Sequence, residues 1–193
     1  MKGIGLIVLI ALIVVGFMGC KGYNSLVAED EVVKNAWANV QSDYQRRNDL
    51  VGNLVNTVKG AAKFEQETLT RVIEARSKAT SVNISADQLT PENIDKFQAA
   101  QGEVSSALSR LLAVVESYPD LKANQNFLQL QNQLESIENE IRASRNSYNS
   151  AVNSYNTKVR SFPMNILGGM FGFKAKEPFK ADPGAETAPK VEF

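Results

Sequence analysis

The chain has 193 residues, of which 44% are hydrophobic and 22% are charged, a composition typical of one domain with a buried core. Lysine plus arginine and aspartate plus glutamate both total 21, so the charge balance excludes an overall basic surface for nucleic acid. There is no histidine and only one cysteine, which removes the commonest metal ligand and excludes a disulfide within the chain.

The first twenty residues predict a membrane anchor. Lys2 precedes an uncharged and almost wholly apolar run from Ile4 to Gly19, the layout of a signal peptide or an N-terminal anchor. As a helix, this run spans roughly 24 Å at ~1.5 Å per residue, against ~30 Å for the hydrocarbon core of a bilayer. Spanning therefore requires Lys2 and Lys21 to lie at the two interfaces.

A second interpretation of this region uses Cys20. The sequence GFMGC at 16–20 resembles the bacterial lipobox, in which a small residue precedes a cysteine that is lipidated before the signal peptide is removed. Stable anchoring needs more than one acyl chain, which a lipidated Cys20 would provide, and the domain that follows would then lie outside the cytoplasm. Both anchors tether the chain to a membrane, and the sequence leaves both open.

After Asn24 the apolar pattern becomes helical. The first helix has a buried stripe at steps of three and four: Val33, Trp37, Val40 and Tyr44. The stripe resumes in a second helix: Val51, Leu54, Val58, Ala61, Val72 and Ala79. Polar residues at 46–49, followed by Gly52 and Asn53, weaken the helix and predict a turn or sharp kink close to Asn48. Residues 80–90 lose the period and predict a loop.

Thr90, Pro91 and Glu92 predict the start of a third helix, because they supply an N-cap, a first-turn proline and a first-turn acid. Its seam is the most regular one: Ile94, Phe97, Gln101, Val104, Leu108, Leu111, Val115 and Tyr118. Gln101 is the one polar interruption. Pro119 ends this helix and can open the next, so the third and fourth helices are antiparallel neighbours.

The fourth helix continues the pattern with its own seam: Phe127, Leu130, Leu134, Ile137, Ile141, Tyr148, Tyr155 and Phe162. A Tyr-Asn pair occurs at 148–149 and again at 155–156, one heptad apart. We interpret this repeat structurally, as tyrosines on the buried stripe whose hydroxyl groups need a polar partner.

These patterns predict an all-α fold, an antiparallel bundle of about four long helices with coiled-coil-like seams behind an N-terminal apolar membrane segment. We divide the chain into the anchor segment 1–20, the bundle 21–163 and a C-terminal tail 164–193. The tail is apolar at first and then contains prolines. It can cover the end of the bundle, lie on a membrane or bind a partner, and we favour the first placement.

Several segments of the sequence match those of a known bacterial family: YNSLV at 23–27, AW at 36–37, QRRNDLVGNLVNTVKG at 45–60, AR at 75–76, the stretch 116–163 and the terminal PKVEF. Together they resemble the bacterial LemA family over nearly all of residues 23–193. The chain departs from the family at Gly52, where many members carry proline, and at Phe64, where many carry histidine. The resemblance implies a helical bundle behind an N-terminal membrane segment, and it implies no enzyme activity because the family's molecular role is poorly defined.

One dense polar group is the candidate partner-binding site: Arg46, Arg47, Asp49, Asn53 and Lys59, near the predicted helix junction. Helix ends concentrate charge and orphan backbone groups, so a docking patch is the functional interpretation. A charged rim with capping side chains is the structural interpretation. Glu65 and Arg76 lie on or beside the second apolar stripe, and we predict that they form polar links inside the bundle with groups such as Arg142 or Glu138.

No catalytic, cofactor-binding or metal-binding residue is predicted. Without histidine, a serine nucleophile lacks its usual base, and Glu135 and Glu138 have no Glu-x-x-His companion of the kind used by di-iron bundles. We therefore expect a non-enzymatic scaffold or interaction protein of the bacterial cell envelope. It would be tethered by its apolar segment or by a lipidated Cys20, and it would bind an unidentified envelope protein. The alternative is an accessory or regulatory subunit of a membrane enzyme such as a protease.

Overall fold

The computed structural model describes residues 2–60 and 65–181, without the side chains of residues 2–4, 6–8, 11, 12, 14, 15 and 18. This part of the chain forms helices and contains no strand. The elements are α1 (Lys2–Lys59), α2 (Gln66–Ser81), a 3-10 turn (Ala86–Gln88), α3 (Pro91–Val115), α4 (Pro119–Lys122), α5 (Gln125–Arg160) and α6 (Met164–Met170). The four longest helices, α1, α2, α3 and α5, pack together, and this agrees with the prediction of an all-α bundle.

The direction of the helices follows from contacts between them. Lys158 of α5 pairs with Glu29 of α1 at 2.6 Å, and Glu140 pairs with Arg46 at the same distance, so α1 and α5 are antiparallel. α2 and α3 pack side by side across the short connection 82–90, which also requires them to run in opposite directions.

The predicted seams form one continuous core. The buried residues of α1 and α2 include Val33, Trp37, Val40, Tyr44, Val51, Leu54, Val58, Val72 and Ala79. Those of α3 and α5 include Ile94, Phe97, Val104, Leu108, Leu111, Val115, Phe127, Leu134, Ile137, Ile141, Tyr148 and Tyr155. Burial of these side chains is the main force that holds the helices together. Apolar periodicity therefore identified most of the core. Of the other predicted seam residues, Tyr118 and Leu130 are partly buried and Ala61 lies outside the described part of the chain.

The predicted turn near Asn48 is wrong, because α1 continues without a break to Lys59. Val51 and Leu54 are buried on the same helix as Tyr44, and this packing outweighs the roughly 1 kcal/mol helix penalty of Gly52. Gly52 also has a specific role. A Cβ atom at this position would lie 3.2 Å from Cζ of Arg76, so the absence of a side chain makes room for the guanidinium group.

The other helix boundaries follow local capping chemistry. The Thr90 hydroxyl oxygen accepts a hydrogen bond from the Asn93 N–H at 3.3 Å, which confirms the predicted N-cap of α3. Pro119 opens the short helix α4, and α5 begins after Asn124, whose side-chain oxygen accepts bonds from two backbone N–H groups. The seam assignment of Phe162 is wrong, because α5 ends at Arg160 and the Phe162 side chain is 80% exposed.

The backbone of the predicted anchor segment is helical from Lys2, and much of its side-chain structure lies outside the described residues. Among the side chains that are described there, Leu9, Ile10, Ile13 and Phe17 are each more than half exposed. Among the residues that the structure describes, no helix has the length and hydropathy needed to cross a membrane. Cys20 is exposed and its thiol is free.

The tail has two described parts. α6 packs beside α1 at the end of the bundle from which the apolar segment extends, with Leu167 near Gly19 and Gly168 near Leu26. After Gly172, whose φ is +82°, residues 173–181 return along the side of the bundle without regular secondary structure. Residues 182–193, including the terminal PKVEF, and residue Phe64 lie outside the described part of the chain.

Candidate functional site

The predicted docking residues do not share one environment. Arg46 is exposed and pairs with Glu140 at 2.6 Å, whereas the neighbouring Arg47 is only 1% exposed. Asp49, Asn53 and Lys59 are exposed one to three turns further along α1, where they line a shallow surface cavity. The structure therefore leaves four of the five residues on the surface and places Arg47 in the core.

Arg47 is the centre of a buried polar network that joins α1, α3 and α5. Its NH2 group donates to the side-chain oxygen of Gln101 at 2.6 Å and to the Gln101 carbonyl oxygen at 3.1 Å. Its NH1 group donates to Ser105 Oγ at 2.9 Å and to Glu138 Oε1 at 3.1 Å. The guanidinium carbon also lies 4.9 Å from the centre of the Tyr44 ring.

This network explains the polar interruption that stands out in the seam of α3. Gln101 is 4% exposed, and a buried amide needs hydrogen-bond partners, which Arg47 provides.

The predicted polar links of Glu65 and Arg76 are different from those expected. Arg76 Nε donates to the Asn48 carbonyl oxygen at 2.7 Å, and Glu65 accepts from Thr68 at 3.1 Å. The partner of Glu138 is Arg47 rather than Arg76.

A second set of polar side chains holds the returning tail and forms what we call the tail groove, lined by Trp37, Phe97, Tyr148, Asn149 and Asn156. The Asn156 amide donates to the Lys176 carbonyl oxygen at 2.8 Å and accepts from the Lys176 N–H at 2.9 Å. Asn149 makes the same pair of bonds with Phe179, at 3.2 and 2.8 Å. Each asparagine side chain thus exchanges a pair of hydrogen bonds with the main chain of the tail, as a neighbouring strand does in a sheet.

The spacing of the two asparagines fits an extended chain. Asn149 and Asn156 are seven residues apart on α5, which corresponds to a rise of about 10.5 Å at ~1.5 Å per residue. Lys176 and Phe179 are three residues apart, and an extended chain advances about 10 Å over that length. Pro178 lies between them and favours extended backbone. The heptad repeat of Tyr-Asn therefore matches every third residue of the bound segment.

Phe179 is the apolar anchor of the tail. It is 5% exposed, and its ring centre lies 5.9 Å from that of Trp37, 5.3 Å from Tyr148 and 6.3 Å from Phe97. The Arg145 guanidinium group covers the ring at 5.0 Å. Offset and edge-on aromatic contacts of this kind stabilise by about 0.5–1.5 kcal/mol per pair beyond area burial. The tail consequently completes the core between α1, α3 and α5.

Charged and phenolic groups fix the rest of the segment. The buried Tyr148 hydroxyl donates to the Glu177 carbonyl oxygen at 2.9 Å, and burial followed by the Glu177 charge raises the pKa of Tyr148. Burial, followed by the negative charge of Asp30, raises the pKa of Tyr155 to about 12. Burial alone would raise the pKa of the Asp30 carboxyl, but hydrogen bonds from Lys176 and Lys34 outweigh it and lower the net value.

The sequence contained a signal for this site. We interpreted the Tyr-Asn repeat only through its tyrosines, although Asn156 lies beside the buried stripe and is itself only 6% exposed. A buried asparagine needs hydrogen-bond partners for its donor and for its acceptor, and the apolar residues of the helix seams cannot supply these partners. Phe179 was the second signal, because it is a large apolar side chain between the charged residues Glu177 and Lys180.

Comparison with known proteins supplies the family context. The model of the LemA family matches residues 36–193. The chain is 29% identical to the protein named LemA of Metamycoplasma hominis over 111 residues, which cover 58% of this chain and 47% of that protein. It is also 29% identical to magnetosome protein MamQ 2 of Paramagnetospirillum magneticum, over 86% of this chain and 67% of the relative. Magnetosome protein MamQ of Magnetospirillum gryphiswaldense is 26% identical over the same share. The match therefore spans about half the length of the LemA relative.

Proposed function

The chain belongs to the LemA family, and from that premise we propose that it is a non-enzymatic, membrane-tethered helical scaffold of the bacterial cell envelope that binds other polypeptides. The proposal has two parts, a tether at the N-terminus and a binding surface on the bundle. Each part is supported by different residues and is tested by a different experiment.

The tether is supported by the apolar run before Gly19. The described side chains there, such as Ile13 at 62% and Phe17 at 63%, are exposed to a degree that is unfavourable in water. A bilayer supplies the missing apolar surroundings, either around a spanning helix or around acyl chains on Cys20. Mass spectrometry of the mature N-terminus distinguishes the two anchors, because an intact Met1 excludes lipidation of Cys20.

The tail groove is the observation that carries the binding part of the proposal. It holds the extended tail through hydrogen bonds between the tail main chain and the side chains of Asn149 and Asn156, together with one aromatic pocket. Main-chain contacts provide affinity with little dependence on sequence, and the pocket adds selectivity, as in other modes of peptide recognition. The chain's own tail fills the groove, and Asn153 and Ser154, which lie between the two asparagines on α5, remain exposed to a partner.

A second candidate contact surface is the exposed remainder of the predicted docking group. Arg46, Asp49, Asn53 and Lys59 follow one another along α1, with both signs of charge represented. Mixed charge on an accessible helix face favours oriented encounter with a partner more than raw affinity. Arg47 has no part in this surface because its side chain is buried.

Photo-crosslinking in intact cells tests the binding proposal. A crosslinking amino acid replaces Asn153 beside the groove or Asp49 on the second surface, and the matched control replaces the exposed Asn132 near the far end of α5. We expect protein adducts from Asn153 or Asp49 and few from Asn132. Absence of adducts from both test positions contradicts a scaffold. Recovery of one membrane enzyme in a one-to-one complex supports a regulatory subunit instead.

A further inference from the structure

The surface of α6 and its flanking residues has an unusual concentration of exposed apolar side chains. Phe162 is 80% exposed, Met170 78%, Ile166 59% and Phe171 56%. Over the described part of the chain, nine of the twelve large hydrophobic side chains that are exposed belong either to this surface or to residues 9–23 of α1. The bundle itself contributes only three, Val32, Ile73 and Leu128. We call the four residues around α6 the apolar collar.

The collar lies at a defined level along α1. Leu167 approaches within 4.0 Å of the position that a Cβ atom would take at Gly19, and Gly168 lies beside Leu26. The end of the Met164 side chain lies over Gly22, in the space that a Cβ atom would occupy there. The uncharged run of α1 ends at Gly19, so α6 begins where the apolar segment stops.

Charge around the collar differs from the neutral balance of the whole chain. Residues 1–28 and 159–175, which form this end, contain no aspartate or glutamate. The first acids along α1, Glu29 and Asp30, pair with Lys158 and Lys176. Lys21, Arg160 and Lys174 are exposed there. The Lys21 ammonium lies 5.0 Å from the centre of the Phe17 ring, which places a cation directly beside an apolar side chain.

Aromatic residues add a third feature. Tyr23 is 41% exposed, and its ring packs edge-on against Phe171 at 5.2 Å and Phe173 at 5.7 Å. Aromatic rings together with lysine and arginine are typical of the boundary between lipid headgroups and acyl chains, where an apolar body and a polar tip are both accommodated. Exposed apolar side chains, cations and a tyrosine thus occur together at one level of the molecule.

We propose that the apolar collar lies in the headgroup–acyl boundary of an anionic bilayer, with Phe162, Ile166, Met170 and Phe171 inserted and Lys21, Arg160 and Lys174 facing lipid phosphates. This inference rests on the proposed tether and deepens it, because it gives the protein a second membrane contact. Both alternative anchors lead to the same level, since residues 19–22 lie at the membrane surface whether α1 spans the bilayer or Cys20 is lipidated. The collar fixes the orientation of the bundle relative to the membrane, which a single anchor leaves free.

Fluorescence quenching in vesicles tests the collar. The full chain is reconstituted in phosphatidylcholine and phosphatidylglycerol vesicles that contain lipids brominated near the glycerol end of the acyl chain. M170W adds an indole in the collar, and the control L128W adds one at a partly exposed site at the start of α5. The native Trp37 is fully buried in the bundle and gives a common background.

We expect several-fold stronger quenching, and a shift of emission to shorter wavelength, for M170W than for L128W. If both variants are bound to their vesicles and the M170W and L128W indoles are quenched equally, the collar is contradicted while the tether stands. A blue-shifted M170W signal without quenching also contradicts it, because protein then covers this surface in place of lipid. Failure of both variants to float with the vesicles refutes the tether and, with it, the collar.

Discussion

The adjacent arginines of α1 allow a test of what the buried polar network contributes to stability. R47A removes a side chain that is 2% exposed, together with four hydrogen bonds, two of which satisfy Gln101. R46A makes the same chemical change one position earlier, where both partners of the ion pair are more than 40% exposed. The two variants therefore differ in burial and not in the groups deleted.

The expected magnitude for R47A follows from its partners. Truncating one member of a buried ion pair costs about 3–5 kcal/mol, and we take the lower end because the Glu138 side chain is 35% exposed and can be hydrated. The Gln101 amide is left without its donor, which contributes about 1–3 kcal/mol of that cost. R46A costs about 0–1 kcal/mol, as exposed pairs do. A loss of ~3 kcal/mol corresponds to a decrease in Tm of roughly 6–12 °C for a chain of this size.

The assay is thermal unfolding of the full chain in detergent micelles, followed by circular dichroism at 222 nm. R47M with Q101L supplies a further check, because replacing both partners by apolar groups recovers much of the loss when an unpaired amide is its cause. Equal decreases in Tm for R47A and R46A would refute the assignment of Arg47 to the core, and no recovery in the double variant would refute the role of Gln101.

The tail groove, the Tyr155 phenol and two glycines allow three further tests. N149A and N156A each remove two hydrogen bonds to the tail, which weakens its attachment by about 1–3 kcal/mol. Proteolysis within residues 173–181 should therefore become faster in both variants, whereas N153A, at an exposed position, should leave the rate unchanged. Cleavage of N149A and N156A as slow as that of the native chain would contradict the groove. The pKa of Tyr155 is raised to about 12 in the folded state, whereas an unfolded tyrosine has a pKa of ~10. The neutral Tyr155 phenol therefore contributes its full stability below pH ~10, and this contribution is lost as pH rises through about 12. Urea unfolding at a series of pH values should show this decrease in the native chain and a smaller one in Y155F. A Cβ atom at Gly102 would meet no atom within 4 Å, so G102A should raise the free energy of unfolding by about 0.5–1 kcal/mol through helix propensity. G52A should gain less or lose stability, because the new Cβ displaces Arg76. Urea unfolding measures both variants, and equal gains would contradict this role of Gly52.

The architecture was predictable where packing and local chemistry agree. The α3 seam from Ile94 to Val115 is apolar at every position except Gln101 and follows a cap at Thr90, and both signals predict the same helix. Near Asn48 the signals disagree. Local propensity favours a break at Gly52, whereas burial of Val51 and Leu54 favours continuation, and burial prevails because it acts on every turn.

The sites were harder to predict because their partners are distant in sequence. Arg47 and Gln101 are 54 residues apart, so the sequence presented Arg47 as a member of a polar group and Gln101 as an interruption of an apolar seam, with nothing to pair them. The same holds for Asn156 and Lys176, which meet only because α6 reverses the direction of the chain. Periodicity identifies which face of a helix is buried, and it contains no information on which buried polar groups are paired.

The rise along α5 from Asn149 to Asn156 matches the length of extended tail from Lys176 to Phe179, and this match has a consequence for insertions and deletions. Adding or removing one residue between Lys176 and Phe179 would move one of them about 3.3 Å away from its asparagine, so only one of the two contacts could form. The stretch from Gly172 to Ala175 precedes both contacts, so its length is not set by them. Length variation among homologous tails should therefore concentrate before Lys176 and be absent between the two contact points.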